Sequence, residues 1–451
     1  MHTNYLFLLL FYLISTLNIM SQKDVNKVDI KNILTEISKA PSAQRIEKDI
    51  RTLADFGTRH TLSDTVSQVR GIGAARRWIK SEFEQISKDC NNCLEVSYHK
   101  GLAKKDDKRI TKDTWIVNVL AIQRGTVNPD RYVIMSGDID SRISDVNNFT
   151  DDAPGANDNA SGMAGTMEAA RILSKYKFPV SIIYVGLSGE EQGLLGGKFL
   201  AETANEKGWD IIGVLNNDMI GNIEGIDGVV DNRSFRIFSE PTSVKLTEQQ
   251  RNGLRFYGGE ADGPSRQLAR YVSSLSTEYL TSVEPMLIYR LDRFGRGGHH
   301  KPFNDAGYPG VRIMETHENY NRQHQDTRLE NGIAFGDVIE GVNFDYAAKL
   351  TAVNALTLAA LASAPEAPKN VKIAGAVMPS AILSWSSGTD KRLKGYKVYW
   401  RKTTDSQWKN SKFIGLTDTF EFKNMVIDNY LFGVASVSDT GAESVIAFPV
   451  N

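Results

Sequence analysis

Cysteine is nearly missing from this chain, with two in 451 residues, and neither sign of charge is in excess: 53 Lys and Arg face 54 Asp and Glu, for a formal net charge of -1. So few cysteines exclude a small scaffold built on disulfides. The level charge excludes a binder that works by neutralising nucleic-acid phosphates. Long apolar runs are also wanting, apart from Tyr5 to Ile14, which is shorter than the ~20 residues a spanning helix needs. That run precedes polar Ser21-Gln-Lys-Asp24 and reads as a signal peptide over residues 1–21, although its leading end holds His2 and no Lys or Arg. A secreted or periplasmic mature protein is expected, without membrane attachment once the signal is cleaved. The whole chain is 41% apolar and 24% charged, enough to fill a core and unlike a disordered polymer. At about 150 residues per domain, the length predicts two or three units.

The two cysteines stand close together, in Cys90-Asn-Asn-Cys93. One such pair lacks the ligands of a structural zinc site, and the spacing suits a turn between a helix and a strand. In an exported chain it predicts a local disulfide.

From Ser42 to Ser87 apolar residues recur at three- and four-residue steps, as in Ile46, Ile50, Leu53 and Ala75, Ile79, Phe83, which predicts amphipathic helix. Strand-like runs then alternate with helical ones: strand at 131–135, helix at 161–176, strand at 179–187, helix at 192–204, and strands at 211–215 and 310–314. This alternation predicts a three-layer α/β/α unit with a mostly parallel central sheet, spanning residues 22–364 and closed by an Ala- and Leu-rich helix. Ala364-Pro-Glu-Ala-Pro-Lys369 then ends helical structure. Beyond it, short alternating strands carry Trp385, Tyr396, Tyr399 and Tyr430, which predicts a small all-β sandwich over 365–451. That segment resembles a fibronectin type III module, whose partner would be a glycan or another protein.

The acidic residues fall where strands end. Asp138 and Asp140 follow one predicted strand, Glu190 and Glu191 the next, and Asp218 a third, while Asp158 lies in a loop of small residues just before a helix. The carboxyl ends of strands in an open α/β sheet are where ligands bind. Carboxylates gathered there repel one another unless a cation offsets them, so the pattern predicts a metal centre. His324 is the best of the seven histidines to join it, with Asp326 nearby to orient the ring. A histidine in the set turns the choice from calcium or magnesium toward zinc, manganese or cobalt.

Gly155-Ala-Asn-Asp-Asn-Ala-Ser-Gly162, Ser188-Gly-Glu-Glu-Gln-Gly-Leu-Leu-Gly196, Asn217-Asp-Met-Ile-Gly221 and His300-Lys-Pro-Phe303 with His324 together resemble the dizinc aminopeptidases of clan MH, which share their fold with glutaminyl cyclases. The resemblance covers roughly residues 42–362. It implies two divalent ions, most readily Zn2+, bridged by Asp158, with Glu191 and His324 completing one site and Asp218 and Asp138 the other. It implies Glu190 as the general base, taking a proton from the water between the metals and passing it to the leaving amine. Peptides with a free N-terminus would be the substrates. One departure stands out: Asp138 occupies a position that is usually histidine, in Gly137-Asp-Ile-Asp-Ser141. His299 and His300 are expected at the surface or behind the ligands. Arg290, Arg293 and Arg296 are expected to bind a substrate carboxylate, stabilise an oxyanion or pair with the site's acids. A site with a weak or empty second metal position, a single-zinc glutaminyl cyclase and an inactive binding protein are the alternatives. The Asn-x-Ser/Thr triplets at Asn148, Asn159 and Asn232 read as chance matches.

Overall fold

The computed structural model describes residues 22–106 and 108–450, so the expected signal segment lies outside the described residues. The central eight-stranded sheet comprises β1 (Leu94–Ala103), β2 (Thr114–Gln123), β3 (Asn128–Asp138), β4 (Val180–Leu187), β5 (Asp210–Asn217), β6 (Ser234–Ser239), β7 (Glu284–Ile288) and β8 (Gly310–Glu315), in the order β1-β2-β4-β3-β5-β8-β6-β7. The middle four strands, β4, β3, β5 and β8, run parallel. Antiparallel pairings join β1 to β2, β2 to β4 and β6 to β8, so the sheet is mixed toward its edges. All eight residues of β4 are buried, because helices cover both of its faces. Alternate side chains divide between two cores. Ile182 and Tyr184 join the larger one; Ile183, Val185 and Leu187 join the smaller.

The larger core lies under α1 (Ile30–Ile37), α2 (Ala43–Ala54), α3 (Gly71–Asp89), α4 (Ala160–Leu173) and, further along the chain, α9 (Phe344–Ser363). α9 is rich in Ala and Leu and buried on nearly every side, as expected of a helix enclosed by protein. The opposite face carries α5 (Leu195–Glu206) and α8 (His300–Asp305), while α6 (Glu248–Phe256) and α7 (Pro264–Tyr279) follow β6 in the chain and α7 adds Leu268, Ala269 and Val272 to the larger core. Between α3 and β1 the two cysteines form a disulfide. The predicted helical entry is interrupted: residues 55–70 are not helical. That segment turns Arg59 inward, where its guanidinium is fully buried and donates to the carbonyls of Leu53, Ile139, Pro154 and Gly155. A charge in the core is tolerable only when its donors are used in this way. The effect is to clamp the loop before α4 onto the end of β3.

Glycine makes this junction possible. A Cβ at Gly162 would meet the carbonyl oxygen of Asn217 at 2.2 Å, and one at Gly137 would meet the backbone of Gly162 at 2.4 Å. The first turn of α4 therefore rests directly against the ends of β3 and β5.

C-terminal to α9, two three-stranded sheets form from β9 (Lys369–Ala374), β10 (Ser380–Ser386), β11 (Leu393–Lys402), β12 (Asn410–Gly415), β13 (Thr419–Lys423) and β14 (Tyr430–Ser438), in the orders β9-β10-β13 and β12-β11-β14. Trp385, Tyr396, Val398, Phe422 and Phe432 share the core between them. This unit is bolted to α7. Buried Asp262, just before that helix, receives Arg401 at 2.7 Å and Arg270 at 2.5 Å, and Trp408 donates to Gln267 at 2.9 Å.

Replacing Arg59 by Met removes four carbonyl contacts and leaves their acceptors buried, so Arg59→Met should cost on the order of 3 kcal/mol or more. Urea unfolding followed by circular dichroism measures this; an unchanged midpoint would contradict the clamp.

Candidate metal centre

The ends of β4, β3 and β5, neighbours in the sheet, bring the predicted acids to one rim. Glu190 and Glu191 lie on the turn after β4, where Asp140 fixes them by accepting both backbone N–H groups, at 3.2 and 3.1 Å. Asp158 lies in the clamped loop. Asp337 accepts the N–H groups of Asn157 and Asp158 at 2.8 and 2.7 Å, adding to the hold that Arg59 has on the carbonyls of that loop. His324 arrives from a distant loop with φ of +56°, a left-handed conformation uncommon for a residue with a side chain and frequent at functional sites.

Three of the five predicted ligands converge. Nε2 of His324 lies 2.9 Å from Oδ2 of Asp158 and 2.9 Å from Oε1 of Glu191, and the donor atoms of all three lie within 4.8 Å of one another. One ring nitrogen with two carboxylate oxygens is a donor set that fits a divalent ion of mixed N/O preference. The electrostatics also call for a cation there. Burial works to lower the pKa of His324, yet the charges of Glu191 and Asp158 outweigh it and push it up to about 9. Burial alone would raise Asp158 and Glu191, but His324 holds both below the usual range.

The other two predicted ligands are placed differently. Asp138 pairs with Nδ1 of His299 at 2.5 Å and accepts from Asn159 at 2.7 Å, and burial together with Asp140 lifts its pKa well above the carboxylate range. Asp218 faces Arg312, with Nη2 3.0 Å from Oδ2; burial raises it, against the pull of Arg312, to about 7. Neither joins the cluster formed by Asp158, Glu191 and His324. Glu190, predicted as the general base, is half-buried at a cavity of about 490 Å³ that Asp158, Glu191, Asp218 and His324 also line. Burial first, and then Glu191 and Asp218, raise its pKa well above the ordinary value.

Several expected neighbours prove different. Asp326 does not orient His324; it accepts from Ser144 at 2.7 Å. Nδ1 of His324 instead faces Arg142 Nη2 at 2.6 Å, and Arg142 Nε donates to Oε2 of Glu191 at 2.7 Å. A ring that ligates through Nε2 keeps its hydrogen on Nδ1, as does the doubly protonated ring that a raised pKa favours, so neither can accept from Arg142. Loading an ion therefore requires the guanidinium to release the ring. His299 and His300 are wholly buried, not on the surface. Arg293 and Arg296 both pair with Glu318, at 3.0 and 2.8 Å, and not with the strand-end acids, while Arg290 lies over Phe294. Asn159 is buried and committed to Asp138 and the Asn217 carbonyl, which leaves no room for a glycan.

Comparison with known proteins agrees with this layout. Residues 118–331, which include all six predicted site residues, match Peptidase family M28. A probable zinc metalloprotease of Pyrenophora tritici-repentis is 40% identical over 415 residues, covering 90% of this chain and 85% of the relative. Another, from Leptosphaeria maculans, is 40% identical over 426 residues, covering 93% and 96%. Among solved structures, the LapA aminopeptidase of Legionella pneumophila aligns with a TM-score of 0.54 at 18% identity, over 77% of this chain and 79% of that one, a likeness of fold. With the fold, the strand-end acids and these relatives in agreement, the chain belongs to peptidase family M28.

Proposed function

We propose that this chain is an exported, zinc-dependent aminopeptidase that hydrolyses the first peptide bond of substrates with a free N-terminus. The observation that carries this reading is the meeting of Asp158, Glu191 and His324 within 4.8 Å, with Glu190 beside them at the same cavity. Zinc suits the nitrogen-and-oxygen donor set, and the curated relatives are called zinc metalloproteases. A bound divalent cation supplies Lewis acidity toward the scissile carbonyl and eases ionisation of water.

The protein supplies the proton path and the orientation. Glu190 stands next to Glu191 on a turn whose two N–H groups are pinned by Asp140, so one carboxylate is directed to the ion and its neighbour is left for the cavity. With its pKa raised by burial and by Glu191, Glu190 can take a proton from the attacking water and return it to the departing amine. Export fits the Cys90–Cys93 disulfide, a bond that persists in oxidising compartments.

A second reading, a glutaminyl cyclase-type enzyme, is favoured by the presence of one ligand cluster among the described residues. The two differ in product. An aminopeptidase releases the first residue from a panel of peptides, whereas a cyclase leaves the peptide bond intact and loses ammonia from N-terminal Gln. Mass spectrometry of the products separates them.

Glu190→Gln should retain its metal while kcat falls by about 10² to 10⁴ on aminoacyl-p-nitroanilides. Turnover within a factor of a few of wild type would reject Glu190 as the base. In chelator competition, His324→Ala should lose metal affinity by at least about tenfold, the loss common even for residues behind the ligands. Asp326→Asn should bind as wild type does, and a matching loss there would restore Asp326 as the ring's partner.

A further inference from the structure

We infer that the chain holds one divalent ion, in the Asp158–Glu191–His324 cluster, and that the second ion position of dizinc relatives is replaced by protein groups, with Arg312 supplying the positive charge. The inference rests on the proposed metal centre and goes beyond it, because the residues expected to hold a second ion do not fit one. Such an ion would need Asp138 and Asp218 to turn toward Asp158. Both are engaged elsewhere.

Both carboxyl oxygens of Asp138 are engaged by protein groups, Oδ1 with His299 Nδ1 and Oδ2 with Asn159 Nδ2. Neither partner is free to withdraw. His299 is fully buried, and a Cβ at Gly197 would lie 2.7 Å from its ring. Asn159 also donates to the Asn217 carbonyl at 2.7 Å and accepts from Gly162 N at 3.0 Å, capping α4. The substitution of Asp at this position is thus matched by a histidine delivered from the start of α8.

Asp218 is held twice by one residue. Arg312 Nη2 lies 3.0 Å from its carboxylate, and Arg312 Nε donates to its backbone carbonyl at 2.5 Å. Arg312 projects from the middle of β8, is fully buried, and is anchored at its other end by Asp292 at 3.1 Å and the Gly297 carbonyl at 2.7 Å. A guanidinium stays charged under all physiological conditions and cannot leave this pocket without breaking the sheet's packing. Its charge offsets Asp218 permanently and repels a dication placed alongside. The first cluster, by contrast, has its nearest guanidinium in Arg142, which lies at the cavity and is partly exposed.

The test is a metal count on the purified full-length mature chain, loaded with excess Zn2+, desalted, and measured by elemental analysis and native mass spectrometry. One ion per chain is expected. Asp138→Asn and Asp218→Asn should keep that one ion, and His324→Ala should lose it. Two ions per chain in the wild type, or loss of an ion in Asp218→Asn, would overturn the inference while leaving the proposed metal centre standing. A wild type that binds none would overturn the metal centre itself, and the inference with it. Arg312→Met combined with Asp138→His should raise the count to two. A folded double variant that still binds one would show that Arg312 is not what excludes the second ion.

Discussion

Mutual repulsion among buried carboxylates at the ends of three adjacent strands is the constraint around which the rest of this structure is arranged. Asp138, Asp140, Glu191 and Asp218 are all buried, and Glu190 and Asp158 lie against them. So much like charge in a low-dielectric rim is untenable unless each group is ionically paired, hydrogen-bonded, protonated or bound to a cation. The chain meets the demand differently for each. Asp140 takes two backbone N–H groups, Asp138 takes His299 and Asn159, Asp218 takes Arg312, and Asp158 and Glu191 take His324. Only the last arrangement presents a cluster of ligand atoms to a cavity, and there the chemistry is expected.

The scaffold serves this rim. Parallel pairing of β4, β3 and β5 aligns three carboxyl ends, and close approach at Gly137 and Gly162 brings the loop of Asp158 against them. Arg59 and Asp337 then grip that loop, one by its carbonyls and the other by its N–H groups. Two charged residues are spent on holding a loop in which one residue is a predicted ligand, which is how a site gains precision from its supports.

Much of this was legible in the sequence. The strand-helix alternation predicted the α/β/α layers because a strand buried on both faces reads as an unbroken apolar run, and β4 is such a run. Asp158 and Glu191 were singled out because strand ends and small-residue loops leave local signatures, and His324 because Asp326 stands near it and because of the family resemblance. Other features left none. Asp337 follows a glycine in an ordinary loop, and nothing nearby indicates that it reaches residues 157 and 158, about 180 positions earlier. Asp326 looked like the partner of His324 because it is close in sequence, whereas the left-handed backbone at His324 turns the ring toward Arg142 instead. One usable signal was passed over: Arg312 interrupts the apolar run Gly310-Val-Arg-Ile-Met314, and an arginine inside a buried strand requires a buried acid opposite. Read that way, it points to Asp218 or Asp292 and so to a rim already short of one ligand.

The claim on which the whole account turns is that Asp158, Glu191 and His324 form the metal centre. Anomalous diffraction at the zinc absorption edge, from crystals of the metal-loaded chain, tests it most directly. The account predicts a single strong peak among those three side chains, none between Asp138 and Asp218, and Arg142 turned away from the ring; a peak elsewhere on the rim, or none within reach of His324, would contradict it.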